Sequence, residues 1–368
     1  MSFYDHILTY DWDTEEQSIF SKTEADVARA IAAERPTLED FKALISPAAE
    51  GFLDQMAIKA QQLTQQRFGR TIQMYVPLYL SNFCTNNCIY CGFSSHNAIK
   101  RKKLTVDEVM LEIEVLKKWG FRHILIVSGE APKLTDAAYY KEIVDAIRPH
   151  FAQISLEVQP LEVEEYKTLS DSGVSFVCVY QETYNHKVYP QFHLQGKKMD
   201  YRYRLETPER CAQAGMRKMG IGALLGLQNW RTDSYFTAMH MNWMEKHYWM
   251  MKFSISLPRL RPHVGAFMPK DPITDKQMAQ LIMAYRLFNP EVDISLSTRE
   301  SSEFRDLAMR IGVTTMSAAS STEPGGYATH DVELEQFSIN DGRSVEEMAA
   351  AIRAQNYEPV WKDWDSWL

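Results

Sequence analysis

From about residue 72 onward, short apolar runs alternate with segments whose apolar residues recur at helical spacing. The runs fall at 73–80 (QMYVPLYL), 123–128 (HILIVS), 153–158 (QISLEV), 174–180 (VSFVCVY), 219–225 (MGIGALL), 251–257 (MKFSISL), 292–297 (VDISLS) and 312–317 (GVTTMS). These are eight predicted strands. Between them, 106–119 places Val106, Val109, Met110, Ile113, Leu116 and Trp119 on one helical face, and 136–147 does the same with Ala137, Tyr140, Ile143, Val144 and Ile147. Thr207–Pro208 and the Thr274/Gln277 capping box open two further helices, and Ser344 with Glu347 caps a last one running to Gln355. The first 71 residues are polar and acidic, with Leu38, Phe41, Leu44, Leu53, Met56, Ala57 and Leu63 at irregular helical spacing broken by Pro47.

Eight strands alternating with helices predict an α/β fold, a (β/α)8 TIM-type barrel with its functional loops at the carboxyl ends of the strands. A doubly wound open sheet is the alternative, since spacing along the chain does not establish closure. The expected division is a helical extension over 1–71, the barrel over 72–330, and a carboxyl-terminal helix and aromatic tail over 331–368.

Composition narrows the function. A net charge of -8 and a pI near 5.7 disfavour nucleic acid as a partner. No run approaches the ~18 apolar residues that span a bilayer, and acids stand early where a secretion signal carries positive charge, so neither membrane nor export is expected and the reading is cytoplasmic. Of five cysteines, three lie within eight positions while Cys178 and Cys211 stand alone as small buried residues, a pattern of metal ligation in a reducing compartment.

The clustered three, Cys84, Cys88 and Cys91 in SNFCTNNCIYCGF, directly follow the first predicted strand. Three thiolates in one loop occupy three corners of a cubane cluster and leave one iron open for chemistry. A zinc site completed by His96, or inert buried thiols, are the competing readings. Further along, Ser128, Gly129 and Glu130 end the second strand, where glycine admits close backbone approach and the carboxylate can receive an ammonium group. In LEVQP, alternation turns Glu157 into the barrel, where a lone acid needs a donor. Arg299, at the end of strand seven, can hold a carboxylate through two parallel hydrogen bonds, and Ser317 and Ser320 after strand eight could complete that cradle. Gln181, Glu182 and Tyr184 lie just beyond strand four, as substrate contacts or as a structural belt. Of Arg259 and Arg261, one is expected to face the site and the other a structural carboxylate. GGY at 325–327 is a turn, because no phosphate-binding glycine motif follows a strand and opens a helix. His240 and His247 lie seven apart in a methionine-rich helix and read as packing residues.

The cysteine spacing, Tyr90 just before the last cysteine, and the position after strand one resemble the radical S-adenosylmethionine superfamily. The resemblance implies a [4Fe-4S] cluster on the three cysteines and S-adenosyl-L-methionine on the open iron, cleaved by one electron to a 5'-deoxyadenosyl radical. It also implies that Tyr90, Ser128, Gly129, Glu130 and Glu157 contact the cofactor, as does Arg204, which stands eleven residues before Gly215 as in the biotin-synthase-like branch.

At nearly full length the chain is similar to the tyrosine-cleaving branch of that superfamily. The similarity is carried by VYQETYN (179–185), MDYRYRLETPERCAQAG (199–215), IGALLGLQNWR (221–231), SLPRLRP (256–262), SLSTRES (295–301) and SAASSTEPGGY (317–327). It implies cleavage of L-tyrosine between Cα and Cβ to 4-methylphenol and dehydroglycine, which thiazole synthase consumes in making thiamine. The implied substrate contacts are Gln181, Glu182, Tyr184, Arg299, Ser317 and Ser320, and the implied partners are thiazole synthase and a low-potential electron donor such as flavodoxin or ferredoxin. The tyrosine lyase of hydrogenase maturation carries further cysteines in a carboxyl-terminal extension, and this chain has none after Cys211. A tryptophan-cleaving relative shares the general plan; an iron-sulfur electron carrier is the alternative from another class. The ending WKDWDSWL, with three tryptophans among acids, is expected to pack on the barrel or dock a partner.

Overall fold

The computed structural model describes residues 2–263, 267–328 and 335–362. All eight predicted strands are present: β1 (Thr71–Ser81), β2 (His123–Ser128), β3 (Gln153–Glu157), β4 (Val174–Cys178), β5 (Lys218–Ile221), β6 (Lys252–Ser256), β7 (Asp293–Leu296) and β8 (Thr315–Ser317). Every neighbouring pair is parallel, and Gln73, Met74 and Tyr75 of β1 pair with Thr315, Met316 and Ser317 of β8. That last pairing closes the sheet into a (β/α)8 barrel and excludes the open doubly wound alternative.

Strand alternation sets the two sides of the wall. Ile72, Met74, Val76, Leu78 and Leu80 are fully buried under the surrounding helices, whereas Tyr75, Pro77 and Tyr79 line the interior. In β3, Ile154 and Leu156 pack outward, and Ser155 and Glu157 face in, as the LEVQP pattern predicts. Two strands are shorter than their apolar runs. Gly312 has φ +139° and lies outside strand geometry, so β8 begins at Thr315. After Ile221, residues 222–225 leave the ladder and touch it only through the isolated bridges Glu182–Ala223 and Leu225–Arg259.

Helices Val106–Lys118 and Ala137–Ile147 match the predicted amphipathic segments, and Thr274/Gln277 and Ser344/Glu347 form complete capping boxes. The amino-terminal helices lie against Trp230–His247 and Asp275–Phe288: Trp12 stacks on Phe236 at 5.3 Å, and Phe41 meets Tyr285 at 5.0 Å. Where Pro47 interrupts the pattern, the carbonyls of Leu44 and Ser46 accept from Gln280 Nε2 at 2.9 and 2.8 Å, so the broken helix end is satisfied from the barrel. A ninth parallel strand, Glu358–Val360, pairs with Thr71–Gln73, and Trp361 meets Phe121 edge to face at 5.5 Å. The rest of the tail, residues 363–368, lies outside the described residues. Among the described residues no helix is long and apolar enough to cross a membrane.

Candidate active site

The cysteine loop leaves β1 at Ser81 and is shaped by its own backbone. Arg101 donates to the carbonyls of Asn82, Phe93, Ser94 and Asn97 at 2.5–3.2 Å, and Asn97 Nδ2 donates to those of Cys91 and Gly92 at 3.1 and 3.0 Å. Asn87 and Cys88 pair antiparallel with Gln195 and His193. The loop thus holds Cys84, Cys88 and Cys91 around one cavity, shared with Ser128, Gly129, Glu130, Glu157, Glu182, Lys198, Arg204 and Gln336. All three thiols are free. Burial pushes Cys84 up to about 11, with the Glu130 charge adding to it, and burial also raises Cys88 and Cys91. Three desolvated thiols facing each other are poorly placed as thiolates until a cationic group sits among them; iron is such a group and deprotonates its sulfur ligands. Among the described residues no three His, Cys, Asp or Glu side chains close on a single ion. A cubane takes one thiolate per iron and needs its sulfurs further apart than one tetrahedral ion does. The donor set therefore fits a [4Fe-4S] cluster.

Beside the thiols lies a set of paired charges. A Cβ at Gly129 would run into the carbonyl of Phe83, so only glycine lets the end of β2 tuck beneath the cysteine loop. Ser128 Oγ donates to the Gly129 carbonyl at 2.9 Å. Glu130 accepts from Arg204 Nη1 at 2.9 Å and from Asn86 Nδ2 at 2.7 Å. Burial opposes ionisation of Glu130, but the Arg204 guanidinium and Lys198 overcome it and hold the carboxyl below its ordinary range. Arg204 Nε also donates to the Tyr180 carbonyl at 2.7 Å, and its Nη2 lies 3.6 Å from Glu182. Lys198 Nζ meets Glu182 at 2.7 Å. Glu182 has φ +70°, a strained value for a residue with a Cβ, and this turns its carboxylate toward the cavity.

The cavity continues past Glu157, Glu182 and Lys198 into a second compartment lined by Tyr79, Leu257, Leu260, Arg299, Ser317 and Ser320. Arg299 is half-buried, with its guanidinium 3.4 Å above the Phe337 ring. Burial lowers its pKa, and nearby Tyr79 and Glu157 partly offset that. Burial pushes Glu157 up to about 7 despite Arg299. Ser317 Oγ accepts from the Thr298 amide at 3.3 Å, while the buried Ser320 Oγ and Arg261 Nε have no hydrogen-bond partner. Arg259 is held by Glu300, and by Asp275 at 2.7 Å, so it is the structural member of its pair; Arg261 lines the compartment.

Tyr90 lines this compartment too, and its hydroxyl meets His193 Nε2 at 2.8 Å. His193 Nδ1 lies 2.9 Å from the Tyr189 carbonyl and must donate to it, which leaves Nε2 as the acceptor for Tyr90. Of the three candidates after strand four, Glu182 alone reaches the cavity. Gln181 is buried on the barrel wall with its amide on the Gly222 carbonyl at 3.1 Å. Tyr184 points under helix Trp230–His247, its hydroxyl 3.1 Å from His240 Nδ1. The positive φ at Glu182 breaks the alternation that would have carried its neighbours inward. Sequence reasoning missed Lys198, which in GKKMD reads as surface charge, and Gln336, which belongs to no motif.

A closed barrel with three thiols after its first strand and a paired Glu–Arg cradle beside them is the arrangement of a radical S-adenosylmethionine enzyme. Residues 78–234 match the Radical SAM superfamily, and residues 256–358 match the Biotin and Thiamin Synthesis associated domain. The chain is 48% identical over 368 residues to the 2-iminoacetate synthase of Escherichia coli (strain K12), covering 100% of this chain and 98% of that one. It belongs to the 2-iminoacetate synthase family, as a radical carbon–carbon lyase using a [4Fe-4S] cluster and S-adenosyl-L-methionine. The crystal structure of HydG, a maturase of the [FeFe]-hydrogenase, superposes with a TM-score of 0.90 at 31% identity, over 95% of this chain and 79% of that chain. Methylornithine synthase shares the fold, with a TM-score of 0.74 at 20% identity over 91% of this chain and 97% of that chain.

Proposed function

We propose that the chain cleaves L-tyrosine to 2-iminoacetate and 4-methylphenol, with the cofactor held over the cysteines and the substrate held over Arg299. The observation that carries this reading is the continuous cavity from Cys91 past Glu157, Glu182 and Lys198 to Arg299. When bound, the cluster and S-adenosyl-L-methionine supply a 5'-deoxyadenosyl radical that abstracts hydrogen from the substrate. Cys84, Cys88 and Cys91 hold three irons. Glu130, kept ionised by Arg204, receives the cofactor ammonium group together with the carbonyls of Ser128 and Gly129. Arg204 and Lys198 are the cations that face its carboxylate.

On the substrate side, Arg299 offers a fork of donors to the amino-acid carboxylate, and the hydroxyls of Ser317 and Ser320 stand beside it. Glu157 and Glu182 are the acceptors that orient the substrate amine, while Leu257 and Leu260 supply apolar wall for the ring and exclude water. Gln181 and Tyr184 act indirectly, by holding the turn that presents Glu182. Dehydroglycine hydrolyses readily, so direct transfer to thiazole synthase is the chemically sensible fate of the product. A low-potential flavodoxin or ferredoxin would supply electrons in the cytoplasm.

The test is an anaerobic turnover of cluster-loaded protein with reductant, S-adenosyl-L-methionine and tyrosine or tryptophan, read by mass spectrometry. Equal amounts of 5'-deoxyadenosine, 4-methylphenol and glyoxylate, the hydrolysis product of dehydroglycine, are expected from tyrosine. 5'-Deoxyadenosine without 4-methylphenol would refute the substrate and leave the radical chemistry standing.

A further inference from the structure

Gln336 sits where the two compartments meet and lines both. Its Nε2 lies 3.7 Å from Cys91 Sγ, a length suited to a large sulfur acceptor, and its Oε1 accepts from the Tyr79 hydroxyl at 2.9 Å. The Tyr79 bond orients the amide so that its donor end faces the sulfur. The backbone around it is held on several sides. The Gln336 amide donates to the Thr322 carbonyl at 3.1 Å, Thr322 Oγ1 donates to the Phe337 carbonyl at 3.0 Å, and Ser338 N donates to the Pro262 carbonyl at 3.2 Å. Phe337 is stacked beneath Arg299, and a Cβ at Gly92 would collide with the Gln336 carbonyl. Position 92 thus needs glycine for this strand of chain to reach the third cysteine. Nothing in the proposed reaction requires an amide here, yet the fold brings one from a distant segment onto a cluster cysteine.

We propose that Gln336 donates a hydrogen bond to the Cys91 sulfur of the loaded cluster and thereby raises the cluster's reduction potential. The inference rests on Cys91 being a cluster ligand. A donor to a ligand sulfur stabilises negative charge, and the reduced cluster carries one electron more than the oxidised one, so the bond favours the reduced form. Tyr79 is the positioning residue, acting through the amide it orients.

The experiment is an EPR-monitored redox titration of cluster-loaded, full-length protein, comparing wild type with Gln336→Leu, Gln336→Glu and Tyr79→Phe. Gln336→Leu removes the donor. Its midpoint shifts to a more negative potential, and at the wild-type midpoint the ratio of reduced to oxidised cluster falls about three- to tenfold, the worth of one such bond. Gln336→Glu keeps the shape but sets a carboxylate against the sulfur, so its shift is at least as large. Tyr79→Phe shifts the same way by less. In deuterated solvent, a deuteron hyperfine coupling to the reduced cluster, present in wild type, is lost in Gln336→Leu. A normal cluster with an unchanged midpoint in Gln336→Leu overturns the role of Gln336 alone; should that variant fail to hold a cluster, an unchanged midpoint in Gln336→Glu does the same. Wild-type protein that binds no reducible four-iron cluster overturns the reading of the cysteines and this inference with it.

Discussion

The two compartments of the cavity treat charge in opposite ways. Around the cysteines, Glu130, Glu182, Lys198 and Arg204 neutralise one another at 2.7–3.6 Å. Around Arg299, no carboxylate among the described residues lies within ion-pair distance of the guanidinium, Glu157 is pushed up to about 7, and Ser320 Oγ is buried without a partner. A buried polar group left unpaired costs about 1–3 kcal/mol, so the second compartment carries a deficit that a zwitterionic ligand would relieve. The first is a preassembled cradle whose charges already balance. The contrast accounts for the division of labour: the cofactor side is rigid before its ligand arrives, and the substrate side keeps its binding capacity free.

That contrast breaks if the two arginines behave alike. Arg204→Ala strips Glu130 of its cation while leaving it buried, and is expected to lower stability by roughly 3–5 kcal/mol, measured by thermal or denaturant unfolding of the cluster-loaded protein. Arg299→Ala should leave stability within about 1 kcal/mol of wild type, because no ion pair is lost. Equal losses would mean that Arg299 is structural.

The next effect is kinetic. Arg299→Lys keeps a charge but loses the planar fork, and should raise KM for tyrosine about 10²-fold while the KM for S-adenosyl-L-methionine stays near wild type. A change in both would erase the boundary between compartments.

The smallest effect concerns the Glu182 turn that joins them. Asp233 Oδ1 accepts from Thr183 Oγ1 at 3.0 Å and from the Tyr184 amide at 2.7 Å, fixing the chain just after Glu182. Burial pushes Asp233 up from an ordinary 3.8 to about 7, with those two hydrogen bonds opposing the rise. Between these values the folded protein holds a proton that the unfolded chain has released, so this group's contribution to stability is full at low pH and declines as pH rises toward 7. Asp233→Asn accepts the same two bonds without titrating. Its Tm should match wild type near pH 4 and exceed it by about 2–5 °C above pH 7. A Tm difference that does not change with pH would assign Asp233 a role other than this one.

Much of this was legible in the amino-acid order, and the boundary of legibility is physical. The cluster loop was readable because all three thiols lie in one short stretch beyond a clear strand, so local chain geometry alone brings them together. Glu157 was readable because a strand has a period of two and its neighbours Leu156 and Val158 are apolar. The capping boxes at Thr274 and Ser344 were readable because their partners stand three residues away. Gln181 and Tyr184 were misjudged as lining residues because one left-handed residue, Glu182, resets the facing of everything beside it. The shortened β5 and β8 show the same limit, since apolar residues at strand ends are equally at home in buried loops.

The order of residues by itself therefore determined the eight strands, the helices between them, the three cluster thiols and the acids and glycine that accompany them, because each follows from contacts within a few residues or from a repeating period. Tertiary structure alone decided that Tyr75 meets Ser317 to close the barrel, that Lys198 leaves a run of surface-like charge to balance Glu182, that Arg261 and not Arg259 faces the cavity, and that Gln336 crosses from the far end of the chain to Cys91. Each of those pairings joins residues far apart along the chain or chooses between equivalent side chains, and such choices are made only when the packed barrel fixes which groups share a space.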